Sequence, residues 1–246
     1  MARSLSVPRR FSLAYVALAG LLGAAIGVFA LLIERPTPTP PPPWSAWAPT
    51  KTDRTARQTQ IAAHVAGQYR LGDGKKLVDV VVRDPLKEPT IQDVALTRTL
   101  YPTKRSDIIS AVGTDKVAMY ILCGGGGPPN CTITGGRPTE ERAEVLRREA
   151  LELALYTFRY VDDTDSVLIS FPRKDVPYVV YFAKGDLSSQ LHQPLRRTLA
   201  QPTGSLPQSL SESERNAIDE LTIPRQFRVT SQDEGGGASA LYLAPR

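Results

Sequence analysis

The chain has 246 residues, a net charge of +5, two cysteines and two histidines. Arg3, Arg9 and Arg10 precede every acidic residue, and without them 27 basic residues face 25 acidic ones, a net of +2. That is an ordinary solvated surface with no basic stripe interleaved with aromatics, so no nucleic-acid partner is expected.

The first element is the stretch from Phe11 to Ile33, FSLAYVALAGLLGAAIGVFALLI, which contains no charge and no proline. As a helix it would be roughly 34 Å long, against about 30 Å for a hydrocarbon core. Residues 11–33 are therefore expected to form a transmembrane helix after a cytoplasmic tail of residues 1–10. Three arginines precede this stretch and only Arg35 follows closely, so the amino terminus is expected in the cytoplasm and the remainder outside it. The expected location is the cell membrane, single-pass, with an extracytoplasmic C-terminal domain. A cleaved signal peptide, a twin-arginine signal at Arg9-Arg10-Phe11-Ser12-Leu13 and an organelle transit peptide are competing readings of the same basic start. Against cleavage, the apolar run exceeds the usual length of about 7 to 15 residues. The small-x-small site at Ala46-Trp47-Ala48 is also followed by Pro49. Ala19, Gly23 and Gly27 place small residues on one helix face, a pattern that lets two such helices self-associate in lipid. No signalling domain is expected in so short a tail.

Residues 34–50 are expected to be a Pro-rich linker. Pro36 to Pro49 reads PTPTPPPPWSAWAP, a composition that favours extended polyproline II over a packed core. Trp44 and Trp47 imply either a linker lying along the membrane or contact with the following domain.

Residues 51–246 are expected to form one exported α+β domain, a long helix packed on a largely antiparallel sheet. Ile61, Val65 and Tyr69 share a helix face. Leu77–Val82 and Ile91–Leu100 read as strands close enough for a hairpin. Asp107–Val112 reads as one or two helical turns, and the apolar run Val117–Leu122 as a central strand. The clearest helix runs from Thr139 to Val161, with Thr139 as cap and apolar residues on both sides. Val167–Phe171 and Tyr178–Phe182 read as an antiparallel pair. Leu187, Leu191, Leu195 and Leu199 recur at helical spacing, interrupted by Pro194. Ser211-Glu212-Ser213-Glu214 reads as a capping box opening a helix through Leu221. Phe227–Ser231 and Ala240–Leu243 form a terminal hairpin around a Gly-rich loop.

Cys123 and Cys131, exported by this topology and separated by a Gly/Pro-rich turn, are expected to form a disulfide. The glycines between them do not match a phosphate cradle: there is no GxxxxGK[ST], and Pro129 takes the place of the third glycine of GxGxxG. Asn130-Cys131-Thr132 is formally a glycosylation sequon. Asp162, Asp163 and Asp165 fall where the long helix should end, facing the negative end of its dipole, which marks them as a candidate Ca²⁺ site against a solvated acidic turn. His64 and His192 lie in no catalytic motif; there is neither GxSxG nor HExxH. No catalytic residue and no cofactor are expected. The functional expectation is a binding module for an envelope protein or a ligand. The alternative is a membrane-tethered extracytoplasmic hydrolase using carboxylates.

Overall fold

A computed structural model describes residues 7–33, 43–70, 74, 76–84, 90–123, 139–171, 178–201 and 210–246, with side chains in the first stretch from Ala14 to Phe29. The chain divides between Pro42 and Pro43 into two compact units. The first holds one helix, α1 (Val7–Ile33), 27 residues long. Its described side chains, Tyr15, Leu18, Leu22 and Phe29 among them, stand exposed. Among the described residues no helix is long and apolar enough to cross a membrane.

The second unit is α+β. Its helices are α2 (Arg54–Gln68), α3 (Glu140–Tyr160), the single turn α4 (Ser188–Leu191) and α5 (Glu212–Thr222). Its strands are β1 (Asp79–Arg83), β2 (Thr90–Thr97), β3 (Ile108–Gly113), β4 (Val117–Cys123), β5 (Ser166–Ser170), β6 (Tyr178–Ala183), β7 (Gln226–Gly235) and β8 (Ala238–Pro245). They make one eight-stranded sheet in the order β1-β4-β5-β6-β7-β8-β2-β3. β4–β5 and β2–β8 are parallel and the other pairings antiparallel, so the sheet is largely antiparallel, as expected.

This order forces the sheet to curl. β3 lies at one edge and β4 next to the other, yet only Thr114–Lys116 connect them. Those residues bridge about 14 Å at full stretch, whereas six strand intervals in a flat sheet span about 29 Å. The Thr114 hydroxyl anchors the start of this connection by donating to the carbonyls of Ile91 (2.8 Å) and Gln92 (3.1 Å) at the start of β2. Inside the curl, Val117 and Met119 of β4 pack with Ile91, Val94 and Leu243. On the outer face Ala118, Tyr120 and Leu122 lie under α3 and α2. β4 is thus covered on both sides, which accounts for its continuous apolar run.

α3 starts where its cap predicts, with the Thr139 hydroxyl accepting from the Arg142 amide at 3.2 Å. Every residue from Glu144 to Phe158 is buried, because α2, α5 and the sheet surround the helix. The terminal hairpin is present as β7–β8, with Gly235, Gly236 and Gly237 at positive φ in its turn.

Three expectations require correction. β1 and β2 are no hairpin; β1 pairs β4, and β2 pairs β3 and β8. A short gap makes a hairpin possible but cannot exclude pairing with distant strands. Residues 108–113 form strand β3 rather than helical turns, as suits a short run rich in β-branched residues. Ser211 does cap α5, accepting from the Glu214 amide at 3.2 Å, but the Glu214 carboxylate is taken by Arg148 and so does not complete the box.

Candidate functional site

The interior of α3 is charged. The Arg148 guanidinium, 1% exposed, donates to Glu214 (2.9 Å), the Tyr69 hydroxyl (2.6 Å), Glu152 (3.4 Å) and the Ala200 carbonyl (2.5 Å). The Tyr69 hydroxyl donates to Glu152 Oε2 at 2.6 Å, and Gln68 Nε2 to Glu152 Oε1 at 3.3 Å. Glu214 also accepts the Ala200 amide at 3.2 Å. The planar fork of one arginine thereby joins the end of α2, the middle of α3 and the first turn of α5. Arg147 adds ion pairs to Asp219 (2.9 Å) and Glu140 (3.1 Å). Burial raises the Glu152 carboxyl, opposed by Arg148, and burial together with Glu152 raises the Tyr69 phenol well above its usual range.

Glu149 lies beside this network and outside its bonding. It is 0% exposed, and neither carboxylate oxygen has a hydrogen-bond partner. Burial, reinforced by the charges of Glu152 and Asp79, holds its carboxyl well above the carboxylate range. An unpaired buried carboxylate would cost several kcal/mol, so this environment favours the neutral acid.

A second cluster gathers where the domain begins. Trp44 is 8% exposed and belongs to the core, with ring centroids 5.4 Å from Tyr156 and 5.9 Å from Tyr160. Trp47 stacks on His64 at 3.8 Å, with the rings 3° from parallel. The Trp44 carbonyl accepts from the Leu195 amide at 2.8 Å, and Ser45 Oγ bonds Tyr156 Oη at 2.6 Å. The stretch from Pro43, expected as the end of the linker, is thus a strap packed on α2 and α3. Of the two placements open to the tryptophans, contact with the domain is the observed one.

The third feature is β3 itself. Among the described residues it is an edge strand paired with β2 alone, and Ile108 to Ala111 are all exposed, Ile109 at 58%. Its residues, Ile-Ile-Ser-Ala-Val-Gly, carry no charge and no proline. β1, at the opposite edge, begins with Asp79 and ends with Arg83. Charges and prolines are the usual guards against unwanted pairing at a sheet edge, and β3 has none within it. Tyr101, in the connection leading to β3, is also exposed.

The expected site residues fall elsewhere. Asp162, Asp163 and Asp165 form the turn after α3. The Arg57 guanidinium donates to the Tyr160 carbonyl (2.5 Å) and to Asp162 (3.0 Å). That one contact satisfies a terminal carbonyl and offsets the acid at the negative end of the dipole. Asp163 has a positive φ of 54°, which aspartate tolerates in turns, and the Asp165 amide donates to the Lys116 carbonyl at 2.9 Å. Among the described residues no group of three or more His, Cys, Asp or Glu side chains could hold a metal ion. Cys123, at the end of β4, is disulfide-bonded; Cys131 lies outside the described residues, as do the loop glycines and the sequon. His192 is bonded through Nδ1 to the Ser188 carbonyl at 2.6 Å. Ala19, Gly23 and Gly27 lie on α1, and a methyl added at either glycine would meet nothing within 4 Å.

No protein family, curated protein or solved structure matches the chain. The charged interior of α3 did leave a trace in the sequence. Arg148, Glu149 and Glu152 lie within a helix whose apolar residues cover both sides, so some of these charges had to be buried.

Proposed function

We propose that this chain is a single-pass membrane-anchored protein whose exported domain binds another envelope protein by adding a strand to β3. The observation that carries the binding reading is the edge itself: an uncharged strand with exposed Ile108 and Ile109 and no pairing partner on its outer side among the described residues. Strand addition takes its affinity from the free backbone groups and its selectivity from alternate side chains, and β3 presents both. The anchor reading is supported by the apolar sequence of residues 11–33 and by the exposed apolar side chains of α1, which in water would form an unusually large patch. Self-association through Ala19, Gly23 and Gly27 is part of the same proposal, supported by the open space at both glycines. The hydrolase alternative is less well supported. The carboxylates displaced upward, Glu144, Glu149 and Glu152, are all buried and most of them are engaged.

The test is a photo-crosslinking residue placed at Ile109 of the full chain in native membranes, with Glu212, exposed on α5, as the control position. A discrete adduct with another envelope protein from position 109 and none from position 212 is expected. No adduct, equal adducts from both positions, or an adduct with a second copy alone would overturn the partner reading. For the anchor, a reporter fused after Arg246 and active only outside the cytoplasm should be active. Activity confined to a cytoplasmic reporter would reverse the topology.

A further inference from the structure

We propose that the strand added at β3 carries acidic residues at the end lying over Lys104 and Arg105. The guest is then an extended protein segment, apolar in its middle and acidic at one end. This inference rests on the strand-addition reading of β3 and names the chemistry of what is added.

The connection from β2 to β3 folds back on itself around Asp107. The Arg98 amide donates to the Asp107 carbonyl at 2.8 Å, and the Asp107 amide to the Lys104 carbonyl at 2.9 Å. The Asp107 carboxylate accepts the amides of Thr103 and Lys104, each at 3.0 Å. Arg98, Lys104 and Arg105 are thereby gathered at the start of β3, and all three are exposed. Three cations against one carboxylate leave a net of +2 over residues 98–107. That carboxylate is engaged by backbone amides, and none of the three cations forms an ion pair among the described residues.

Apolar surface adjoins this positive end. Ile108 lies opposite Thr97 and Ser110 opposite Leu96, so Ile109 has no opposite residue on β2 and its side chain stands out from the ladder. Tyr101 is exposed in the connection that carries the cations. The far end of β3 is different. Asp93 lies opposite Gly113, and the Asp115 carboxylate lies against Gly113. These acids are answered by Lys116 and by Arg54, which donates to the carbonyls of Asp115 and Val117. The edge therefore has a positive start, apolar side chains beside it and an end where the signs balance.

Such an edge selects by charge. A strand added about 4.8 Å from β3 sets one of its ends within reach of the Lys104 and Arg105 side chains. Acids at that end meet cations that have no other partner, whereas bases there are repelled. The acids follow the apolar residues in an antiparallel guest and precede them in a parallel one. A lipid surface would meet the cations but leave the backbone edge unused, so the combination favours a peptide segment. Exposed ion pairs are individually weak, and two or three together change binding by about tenfold.

The experiment is the crosslink from position 109 of the full chain in native membranes, with the captured segment sequenced by mass spectrometry. Lys104→Glu combined with Arg105→Glu should lower the adduct yield by about tenfold, and Lys104→Gln combined with Arg105→Gln should give an intermediate yield. Raising salt from about 0.05 to about 0.5 M should lower the parent's yield. Arg196→Glu combined with Arg197→Glu makes the same change in net charge at an exposed pair between α4 and α5, and should leave the yield unaltered. Far-UV circular dichroism of each purified variant should match the parent, which separates lost binding from lost fold. The captured segment should carry its acids on one side of the crosslinked residue, within about five positions at about 3.3 Å each. An unaltered yield from the Lys104 and Arg105 reversal, equal losses from both reversed pairs, or a captured segment without acids would overturn the acidic guest and leave strand addition standing. No adduct from the parent, or an adduct with lipid or a second copy alone, would remove both readings.

Discussion

α3 and β3 break opposite rules. α3 buries Arg148, Glu149, Glu152 and the carboxylate of Glu214 where apolar residues are expected, while β3 exposes Ile108 and Ile109 where charges are expected. The difference lies in compensation. Glu214 and Glu152 share the Arg148 guanidinium at 2.9 and 3.4 Å, so each of these buried groups has a partner inside the fold. β3 has no such answer among the described residues, and its free backbone edge and apolar side chains call for something outside the chain. Buried charge that is satisfied argues for architecture; exposed apolar edge that is not satisfied argues for a partner.

Removing the compensation in α3 should have the largest effect. Arg148→Met leaves Glu152 and Glu214 buried without their cation, and a loss of about 3–5 kcal/mol is expected in chemical denaturation of the full chain. A loss under about 1 kcal/mol would mean that the network is not what joins α2, α3 and α5. The other end of the comparison is read at β3, where Ala111→Lys, exposed on the same face as position 109, should abolish the adduct formed from position 109 while changing stability by no more than about 0.5 kcal/mol. Survival of the adduct with a lysine at the centre of the edge would remove β3 as the docking strand.

Glu149 sharpens the contrast from within α3, because it is the one buried acid there without an answer. Glu149→Gln removes the titration while keeping the shape. The sign is set by a folded-state value raised above the unfolded one. The parent's neutral carboxyl contributes fully below the unfolded carboxylate range and loses that contribution as pH rises toward the raised folded value. The stability advantage of Glu149→Gln over the parent should therefore grow with pH across the neutral range, reaching about 1–3 kcal/mol. A constant difference would show that Glu149 is ionised and partnered in the fold.

Much of the fold could be read from local patterns. The caps at Thr139 and Ser211, the uninterrupted apolar spacing of α3 and the paired strands β5–β6 and β7–β8 are dictated by neighbours within a few residues, and each is present. The partners of β1 and β2 could not be read in this way, because pairing with β4, β3 and β8 depends on how the sheet curls. β3 is not legible as a strand, because six residues carry too little periodicity to separate one strand from two helical turns. Of the candidate sites, the aspartates after α3 were legible as an anomaly at a helix end, but their remedy, Arg57, comes from another helix.

The sequence by itself determined the apolar stretch at 11–33, the proline-rich passage after it, the α+β composition of the domain and the length and cap of α3. These follow from composition and from interactions along one segment. Only the tertiary structure decided that the domain begins at Pro43 with two tryptophans packed against it, that one arginine gathers three elements, that Glu149 is left without a partner, and that β3 lies unguarded at an edge. Each of those depends on which segments meet in space. Burial and pairing are properties of that meeting, so no window along the chain contains them.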